Sequence, residues 1–374
     1  MSCFQRRSGR RQPVPKGTRL LAAFTLAVGC GQVRDSALGS YQLESLETQY
    51  GAVSGRLFSV SFSAREIEFG ELVSGKIRSL SQEVFEDRIL SLRVTSDTES
   101  LWVGVTLCMG NLLEDPEQIS CSGGTHVQVL RAYPSGKLSV VADSVAGRPE
   151  RTRDERLTTG PFVFGDSIIL GVVDDMTGAS QRLILRGGRL QPLEGDDGSG
   201  IFCATRHHLF RVQSTPDYEN SRNIGLVVQR WREAKWSNLD LNIDEEIVYD
   251  LSLACTSSEA IVVKQKTSSA DLVRVTDGTA APVQLDSALI NGPTTLASHQ
   301  GDPNQILLST VNQEDDGTAT ITWSTLNNDR VEPILGPVTR DEAEKASVTF
   351  LVGDATGGLV GITDDGTLEV KRGR

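Results

Sequence analysis

The chain contains few of the residues from which catalytic and metal sites are usually built. Its 374 residues include four histidines and six cysteines, and aromatic side chains make up only 5% of the sequence. No HExxH, paired CxxC or GxSxG motif occurs, so the usual sequence signatures of zinc and serine hydrolases are absent. The sequence therefore identifies no catalytic residue, and we expect neither a metal nor a cofactor.

The positions of the histidines also argue against a metal site. His207 and His208 are adjacent in a predicted strand, where neighbouring side chains face opposite sides of the sheet and cannot share one ion. His126 and His299 lie far from them in the sequence. We expect all four to be polar strand or turn residues.

Acidic turns recur but do not have the order of a calcium loop. "EGDDGSG", "EDDGTA" and "TDDGTL" contain the Asp-Asp-Gly that a tight hairpin needs to reach positive φ. In "DLNIDEE", Asp240, Asn242 and Asp244 would share one face of a strand, but the glycine and the closing glutamate of a calcium loop are missing. We interpret these segments as hairpin turns and polar strand residues.

No apolar run is long enough to span a membrane. The longest candidate, residues 20–29, has half of the ~20 residues that a transmembrane helix needs. Six basic residues precede it: Arg6, Arg7, Arg10, Arg11, Lys16 and Arg19. A charged segment, a short apolar segment and small residues at its end are typical of a secretory signal, which we assign to residues 1–29. A buried helix at the start of the chain is the alternative.

The end of this leader, "LAVGC", resembles the lipobox of bacterial lipoproteins. The resemblance implies that Cys30 carries lipid and is the first residue of the mature chain, with residues 30–40 as a lipidated N-terminus and linker. Because Gly31 follows the cysteine in place of aspartate, the resemblance also implies the outer membrane. Plain secretion and twin-arginine export, suggested by "QRRSGRRQPVP", are the alternatives.

The remaining cysteines form an even set, as expected in an oxidising compartment. Cys108 and Cys121 enclose the insertion "MGNLLEDPEQIS", and we predict a disulfide bond across this loop, whose polar, glycine-rich flanks argue against deep burial. Cys203 and Cys255 occupy similar places in successive repeats, so we predict a second bond between neighbouring units. Four buried thiols in a cytosolic protein are the alternative.

The charge of the mature chain limits its partners. Removal of the leader leaves 31 of the 37 basic residues against all 49 acidic ones, a net charge of −18. Phosphate would be repelled, so we expect no nucleic acid as a partner. We expect attachment to a membrane through lipid and binding to an envelope protein or a glycan.

A strand–turn–strand pattern recurs along the rest of the chain. It opens six units: "LRVTSDTESLWVGV", "VFGDSIILGVV", "FCATRHHLFRV", "LACTSSEAIVV", "LASHQGDPNQILLSTV" and "FLVGDATGGLVGI". Most intervals between their starts lie near the ~40–50 residues of a four-stranded propeller blade. With a seventh unit over residues 57–77, the pattern predicts an all-β propeller of about seven four-stranded blades, one domain over residues 41–374.

Second hairpins inside the units support this fold, as at residues 181–193 and 271–285. A pair of β-sandwiches or a β-solenoid is the alternative, because short strands alone do not distinguish these folds. Helical spacing is confined to "SLSQEVFEDRIL" and "RDEAEKAS", where we predict two short helices.

The function that best fits these features is a non-catalytic binding or scaffold lipoprotein of the bacterial cell envelope. The alternative is a secreted hydrolase or lyase with carboxylates around the central channel, where Asp166, Asp302 and Asp354 each follow an opening strand. Trp231 and Trp236, with Tyr218 nearby in the sequence, are able to stack on a sugar or an apolar partner, but packing between blades is the favoured interpretation.

Overall fold

The computed structural model describes eighteen segments of the chain. They are residues 47–54, 56–73, 76–115, 118–144, 155–174, 177–216, 224–239, 250–256, 258–265, 270–276, 278–283, 294–298, 306–313, 318–327, 330–339, 350–353, 359–363 and 366–370. Within these segments all regular structure is β-strand, and no helix suited to crossing a bilayer is found.

The strands form seven antiparallel sheets, which we call blades 1 to 7. Blade 1 contains β1 (Glu47–Val53), β2 (Arg56–Phe62), β3 (Glu66–Val73) and β4 (Lys76–Val84). Blade 2 begins with β5 (Arg88–Ser96) and β6 (Leu101–Cys108), continues through a small separate hairpin of β7 (Leu112–Asp115) and β8 (Gln118–Cys121), and ends with β9 (Thr125–Ala132) and β10 (Leu138–Asp143).

The next two blades have four consecutive strands each. Blade 3 contains β11 (Glu155–Phe164), β12 (Ser167–Asp174), β13 (Ser180–Arg186) and β14 (Arg189–Pro192). Blade 4 contains β15 (Ile201–Ala204), β16 (Leu209–Pro216), β17 (Ile224–Arg232) and β18 (Lys235–Asn238).

The last three blades complete the set. Blade 5 contains β19 (Asp250–Cys255), β20 (Ala260–Gln265), β21 (Ala270–Val275) and β22 (Ala280–Pro282). Blade 6 contains β23 (Thr294–Ser298), β24 (Ile306–Gln313), β25 (Ala319–Asn327) and β26 (Arg330–Thr339). Blade 7 contains three described strands, β27 (Phe350–Gly353), β28 (Leu359–Thr363) and β29 (Gly366–Val370).

The blades are arranged as a ring around their first strands. The first strands of blades 1 to 6 contact one another in order, and β27 of blade 7 contacts β1 of blade 1. This is the predicted β-propeller of about seven blades, with six blades of four strands. The antiparallel order places the turns between first and second strands on one face of the ring, the turn face. The linkers between blades therefore lie on the opposite face, the linker face.

The hydrophobic core is divided among the blade boundaries. One cluster joins Phe58, Val60 and Phe69 of blade 1 to Leu101 and Val105 of blade 2, and similar clusters join each following pair of blades up to blades 5 and 6. Because a central strand is covered on both faces, all eight residues of β6 are buried. This explains why its sequence, "LWVGVTLC", is apolar almost without interruption.

The strand prediction was right at every opening hairpin that was named, but two details need correction. The seventh unit opens earlier than predicted, with β1 and β2, so residues 57–77 cover β2, β3 and the start of β4. "SLSQEVFEDRIL" is not a helix but the end of β4, a three-residue linker and the start of β5. The linker inserts Phe85 into the core close to Ile89, which imitates helical spacing. "RDEAEKAS" lies outside the described residues.

Both predicted disulfide bonds are present. Cys203 and Cys255 join β15 to β19, the first strands of blades 4 and 5. Cys108 and Cys121 join the end of β6 to the end of β8. The prediction that Cys108 and Cys121 are not deeply buried was wrong. Both are buried, because the insertion folds into the β7–β8 hairpin, whose end lies against β6.

Candidate functional site

The carboxylates predicted at the channel do not form a described site. Asp166 is exposed in the turn between β11 and β12, and Asp302 and Asp354 lie outside the described residues. Across the parts of the chain that the structure describes, no group of three or more His, Cys, Asp or Glu side chains is placed to hold a metal ion. Cys30, Tyr218, His299 and residues 240–244 also lie outside the described segments.

The prediction that His207 and His208 lie in a strand was wrong. Both lie in the turn between β15 and β16. The turn forms because the hydroxyl of Thr205 accepts hydrogen bonds from the backbone N–H groups of both histidines, at 3.2 and 2.8 Å. Burial lowers the pKa of His208, and the charge of Arg230 lowers it further.

Trp231 and Trp236 pack between blades, as the favoured interpretation held. They face each other across β17 and β18, and both indole rings are half-buried. The indole N–H of Trp231 donates to the carbonyl oxygen of Glu194 at 3.2 Å, and that of Trp236 donates to the carboxylate of Asp196 at 2.9 Å. The pair therefore holds the linker between blades 3 and 4, and its polar groups are already in use.

An open crevice lies at the boundary between blades 1 and 2, on the linker face. We call it the blade 1–2 crevice; its volume is about 380 Å³. It is lined by Glu83, Val84, Phe85, Glu86, Asp87, Leu107, Met109, His126, Gln128, Val140 and Asp143. The lining combines an apolar wall with four carboxylates and contains neither lysine nor arginine.

The geometry of the blade 2 sheet explains why these side chains meet. His126 and Gln128 are two residues apart on β9 and so face the same side, towards blade 1. Asp143 on β10 lies opposite Gln128 on β9. A register shift between Val140 and Ala142 inserts one extra residue, so Val140 joins Asp143 on that side.

His126 lies between two carboxylates at the inner end of the crevice. Its Nδ1–H donates to Asp143 Oδ1 at 3.0 Å, and its Nε2 is 3.3 Å from Asp87 Oδ2. Asp143 also accepts a hydrogen bond from Gln128 Nε2 at 2.9 Å. His126 is 4% exposed and both of its ring nitrogens face a carboxylate, whereas the buried Oε1 of Gln128 has no hydrogen-bond partner among the described residues.

Among its lining residues the crevice lacks the hydroxyl or thiol nucleophile of a Ser–His or Cys–His hydrolase. An Asp–His pair activates a nucleophile when a hydroxyl or thiol lies within hydrogen-bond reach of the ring. The lining residues include no serine, threonine, cysteine or tyrosine. What they offer a ligand is negative charge beside apolar surface.

The sequence analysis expected His126 to be an ordinary polar strand or turn residue and did not predict the crevice around it. The alternation in "THVQV" indicates that His126 and Gln128 share a face. The bulge in β10 and the approach of Asp87 from the preceding linker leave no pattern in the sequence, because each depends on how neighbouring strands and blades pack.

The boundary between blades 3 and 4 is closed by a charged network, which we call the blade 3–4 network. Arg182 forms an ion pair with Asp196, and its Nη2 donates to the carbonyl oxygens of Ser199 at 2.6 Å and Gly200 at 2.8 Å. The guanidinium lies 4.6 Å from the centre of the Phe202 ring. Burial lowers the pKa of Arg182, although the Asp196 carboxylate opposes this effect.

A second arginine completes the network. Arg211 lies 4.4 Å from the centre of the Trp236 ring, forms an ion pair with Asp197, and is 3.8 Å from Asp196. Burial raises the pKa of the Asp197 carboxyl, but hydrogen bonds from Ser199 and Arg211 outweigh it and hold the pKa well below its ordinary value. Each buried charge in this network therefore faces an opposite one.

Comparison with known proteins supports the fold. No protein-family model and no curated protein matches the sequence. Among solved structures, the chain is similar to the β-propeller domain of the Trilobed protease from Pyrococcus furiosus, with a TM-score of 0.51, 7% identity and coverage of 89% of this chain and 97% of that domain. It is also similar to an acylaminoacyl peptidase crystallised with Z-Gly-Gly-Phe-chloromethyl ketone, with a TM-score of 0.50 and 8% identity.

The second match covers 86% of this chain, which spans about half of the peptidase, 49% of its length. At this level of identity both similarities concern the fold alone. The chain is a β-propeller.

Proposed function

We propose that the protein is a non-catalytic binding protein, exported and held by lipid in the bacterial cell envelope, that recognises a partner at the blade 1–2 crevice. The observation that carries the binding role is the crevice itself, which is open, acidic and partly apolar and has no serine, threonine, cysteine or tyrosine among its lining residues. The lipobox-like leader and the two disulfide bonds support export.

The charges of the crevice fit a recognition role better than a structural one. Glu83, Glu86, Asp87 and Asp143 line one small volume, and no lysine or arginine is among the lining residues. Like charges gathered in this way repel one another and weaken the folded state. Such an arrangement is expected where a ligand supplies the opposite charge.

Affinity capture from detergent-solubilised envelopes tests the binding role. The wild type should retain a partner that Glu83→Gln/Glu86→Gln loses, because this variant removes two crevice charges and leaves the side-chain shapes unchanged. Asp166→Asn is the matched control, since it removes an exposed carboxylate on the turn face. Equal capture by the wild type and the crevice variant, or loss of the partner in Asp166→Asn alone, would place recognition elsewhere.

Cell fractionation tests the anchor separately. Cys30→Ala should move the protein from the membrane to the soluble fraction, because acyl chains are what hold a lipoprotein on the bilayer. Cys3→Ala is the control, since a processed leader discards that residue. Recovery of wild-type protein in the soluble fraction would contradict lipid anchoring.

A further inference from the structure

We infer that the protein forms a symmetric dimer in which β4 of one copy pairs antiparallel with β4 of a second copy. This interface goes beyond the proposed function and does not depend on what the crevice binds. It is argued from the free edge of β4, from its exposed apolar residues, and from a sequence that is complementary to itself in one register.

The outer edge of β4 lacks the features that keep edge strands from pairing. β4 is the outermost strand of blade 1, and this edge has no partner strand among the described residues. It has nine residues and no proline. The outermost strands of blades 3, 5 and 6 each contain proline, and those of blades 2 and 4 have six and four residues. Proline and short length prevent an edge strand from pairing with another chain, and β4 has neither protection.

Apolar residues at the two ends of β4 are exposed. Ile77 is 48% exposed, and Val84 is 72% exposed, the largest value for a large apolar side chain in the described part of the chain. Exposed apolar side chains on an unpaired edge are typical of strands that add to another sheet.

Arg78 and Glu83 lie on the same face of the blade 1 sheet. Arg78 lies opposite Glu71 on β3, and Glu71 lies opposite the core residue Phe58 on β2. Glu83 lies opposite Ile67, which belongs to the same core. Residues directly opposite each other share a face of the sheet. The two charged residues share a face although they are five positions apart, because a register shift places one extra residue between them.

One antiparallel register makes β4 complementary to itself. In the register that places Arg78 opposite Glu83 of the second copy, Ile77 lies opposite Val84, and the symmetry repeats both pairs. A cation then faces an anion, and two exposed apolar side chains face each other. Both combinations stabilise neighbouring strands. No outside partner is needed to explain this pattern, so a second copy is the occupant that the strand favours.

The extra residue of the register shift lies at the centre of this arrangement. It is Leu80, which packs against the core between blades 1 and 2. The strand on each side of it remains at the edge of the sheet. We therefore expect the two copies to pair along residues 77–79 of one and 82–84 of the other, twice in the dimer.

The charges of Arg78 and Glu83 are not balanced within one copy. Glu71 is the acceptor for both Arg56 and Arg78, so one carboxylate faces two guanidinium groups. The Arg78 side chain is 63% exposed. Glu83 has no ion-pair partner among the described residues. Each charge is thus left for the opposite charge on a second copy.

Sedimentation velocity of the purified full chain tests the dimer. The wild type should sediment as a dimer at about 100 μM and dissociate on dilution, since an interface of two paired strands is at the small end of specific interfaces. Added salt should weaken the dimer, because two of its side-chain pairs are ionic. A wild type that stays monomeric at this concentration would overturn the inference.

Charge reversal tests the register. Arg78→Glu and Glu83→Arg should each weaken dimerisation by at least about tenfold, because each places like charges opposite each other twice in the symmetric dimer. An equimolar mixture of the two variants should dimerise as the wild type does, since each copy then meets an opposite charge at both pairs. Arg186→Glu is the matched control; it reverses an exposed charge at the end of β13 and should leave the dimer unchanged.

The apolar pair repeats the test without touching Glu71 or its two arginines. Ile77→Lys and Val84→Glu change exposed side chains, so both should keep the far-UV circular dichroism of the wild type. Each should weaken the dimer by about tenfold, and their mixture should restore it, because lysine then faces glutamate at one pair. Dimers that persist in all four single variants, or folded mixtures that stay monomeric, would overturn the inference.

Discussion

The blade 1–2 boundary and the blade 3–4 boundary both contain carboxylates between two sheets. The first is open to solvent, whereas the second is closed by ion pairs. Each has a linker that brings carboxylates to the gap between two sheets. The first linker has three residues, 85–87, and leaves an open crevice. The second has eight, 193–200, and its Asp196 is 2% exposed against Arg182, which is equally buried.

The difference shows what separates a structural charge from one available to a ligand. In the blade 3–4 network both arginines lie against carboxylates and aromatic rings, so each arginine charge faces an opposite charge within the protein. In the blade 1–2 crevice four carboxylates line one open volume, and no lysine or arginine is among the lining residues. Charge count alone would not distinguish the two boundaries; the pairing of the charges does.

Glycine allows the longer linker to fill its gap. Gly195 and Gly198 have positive φ values of 73° and 74°. A Cβ atom would meet the carbonyl oxygen of Ala234 at the first position and that of Ser180 at the second. The linker therefore runs in direct contact with the backbones of both blades, at a distance that other residues do not permit.

The largest predicted effect is loss of the pairing in the blade 3–4 network. Arg182→Met should reduce the free energy of unfolding by about 3–5 kcal/mol, because it leaves the Asp196 carboxylate buried without its closest counter-charge. Urea denaturation measures the loss. Arg186→Met, at the exposed end of the same strand, is the control and should change stability by less than about 0.5 kcal/mol. Similar values for the two variants would show that the network is not structural.

The two disulfide bonds extend the comparison, because Cys108–Cys121 lies within blade 2 beside the crevice, whereas Cys203–Cys255 joins blade 4 to blade 5 next to Phe202 of the network. Cys203 and Cys255 are 52 residues apart, and Cys108 and Cys121 are 13 apart. A longer closed loop restricts the unfolded chain more, so replacing the first pair by alanine should cost about 4 kcal/mol and the second about 3 kcal/mol. Chemical denaturation of the two double variants gives the order. A larger loss from the Cys108–Cys121 pair would mean that the β7–β8 hairpin supports more of the fold than its size indicates.

The smallest effect is an acid-dependent one at Asp197. Its depressed pKa means that ionised Asp197 stabilises the folded state above the ordinary pKa of 3.8, and that this contribution is lost as the pH falls through the lower folded-state value. Asp197→Asn should therefore be less stable than the wild type at neutral pH, and the difference should shrink below that ordinary value. Urea denaturation at a series of pH values measures it. A difference that stays constant into strong acid would contradict the role given to the ion pair with Arg211.

The fold was predictable because its signals are local. Alternating strands and turns such as "SDTES" and "SSE" are contained within a dozen residues, and each proved to be the first hairpin of a blade. The predicted helix at Phe85 failed for the opposite reason. Its apolar spacing comes from a linker that enters the core between two blades, which the local sequence does not distinguish from a helical turn.

The candidate site was far less predictable. Asp87, His126 and Asp143 come from a linker and two strands, and they meet because blade 2 pairs its strands around an insertion and β10 contains a bulge. The channel carboxylates seemed better candidates in the sequence because each follows an opening strand. That position places Asp166 in an exposed turn, and the other two carboxylates lie outside the described residues.

Hydrogen–deuterium exchange with and without the partner that the wild type captures tests the central claim most directly. We predict protection of residues 83–87 and 126–143 on binding, with no change at residues 180–213, where the arginine charges of the blade 3–4 network already face opposite charges. Protection of residues 180–213 in place of the crevice, or equal protection at both boundaries, would contradict the distinction between an open binding crevice and a closed structural network.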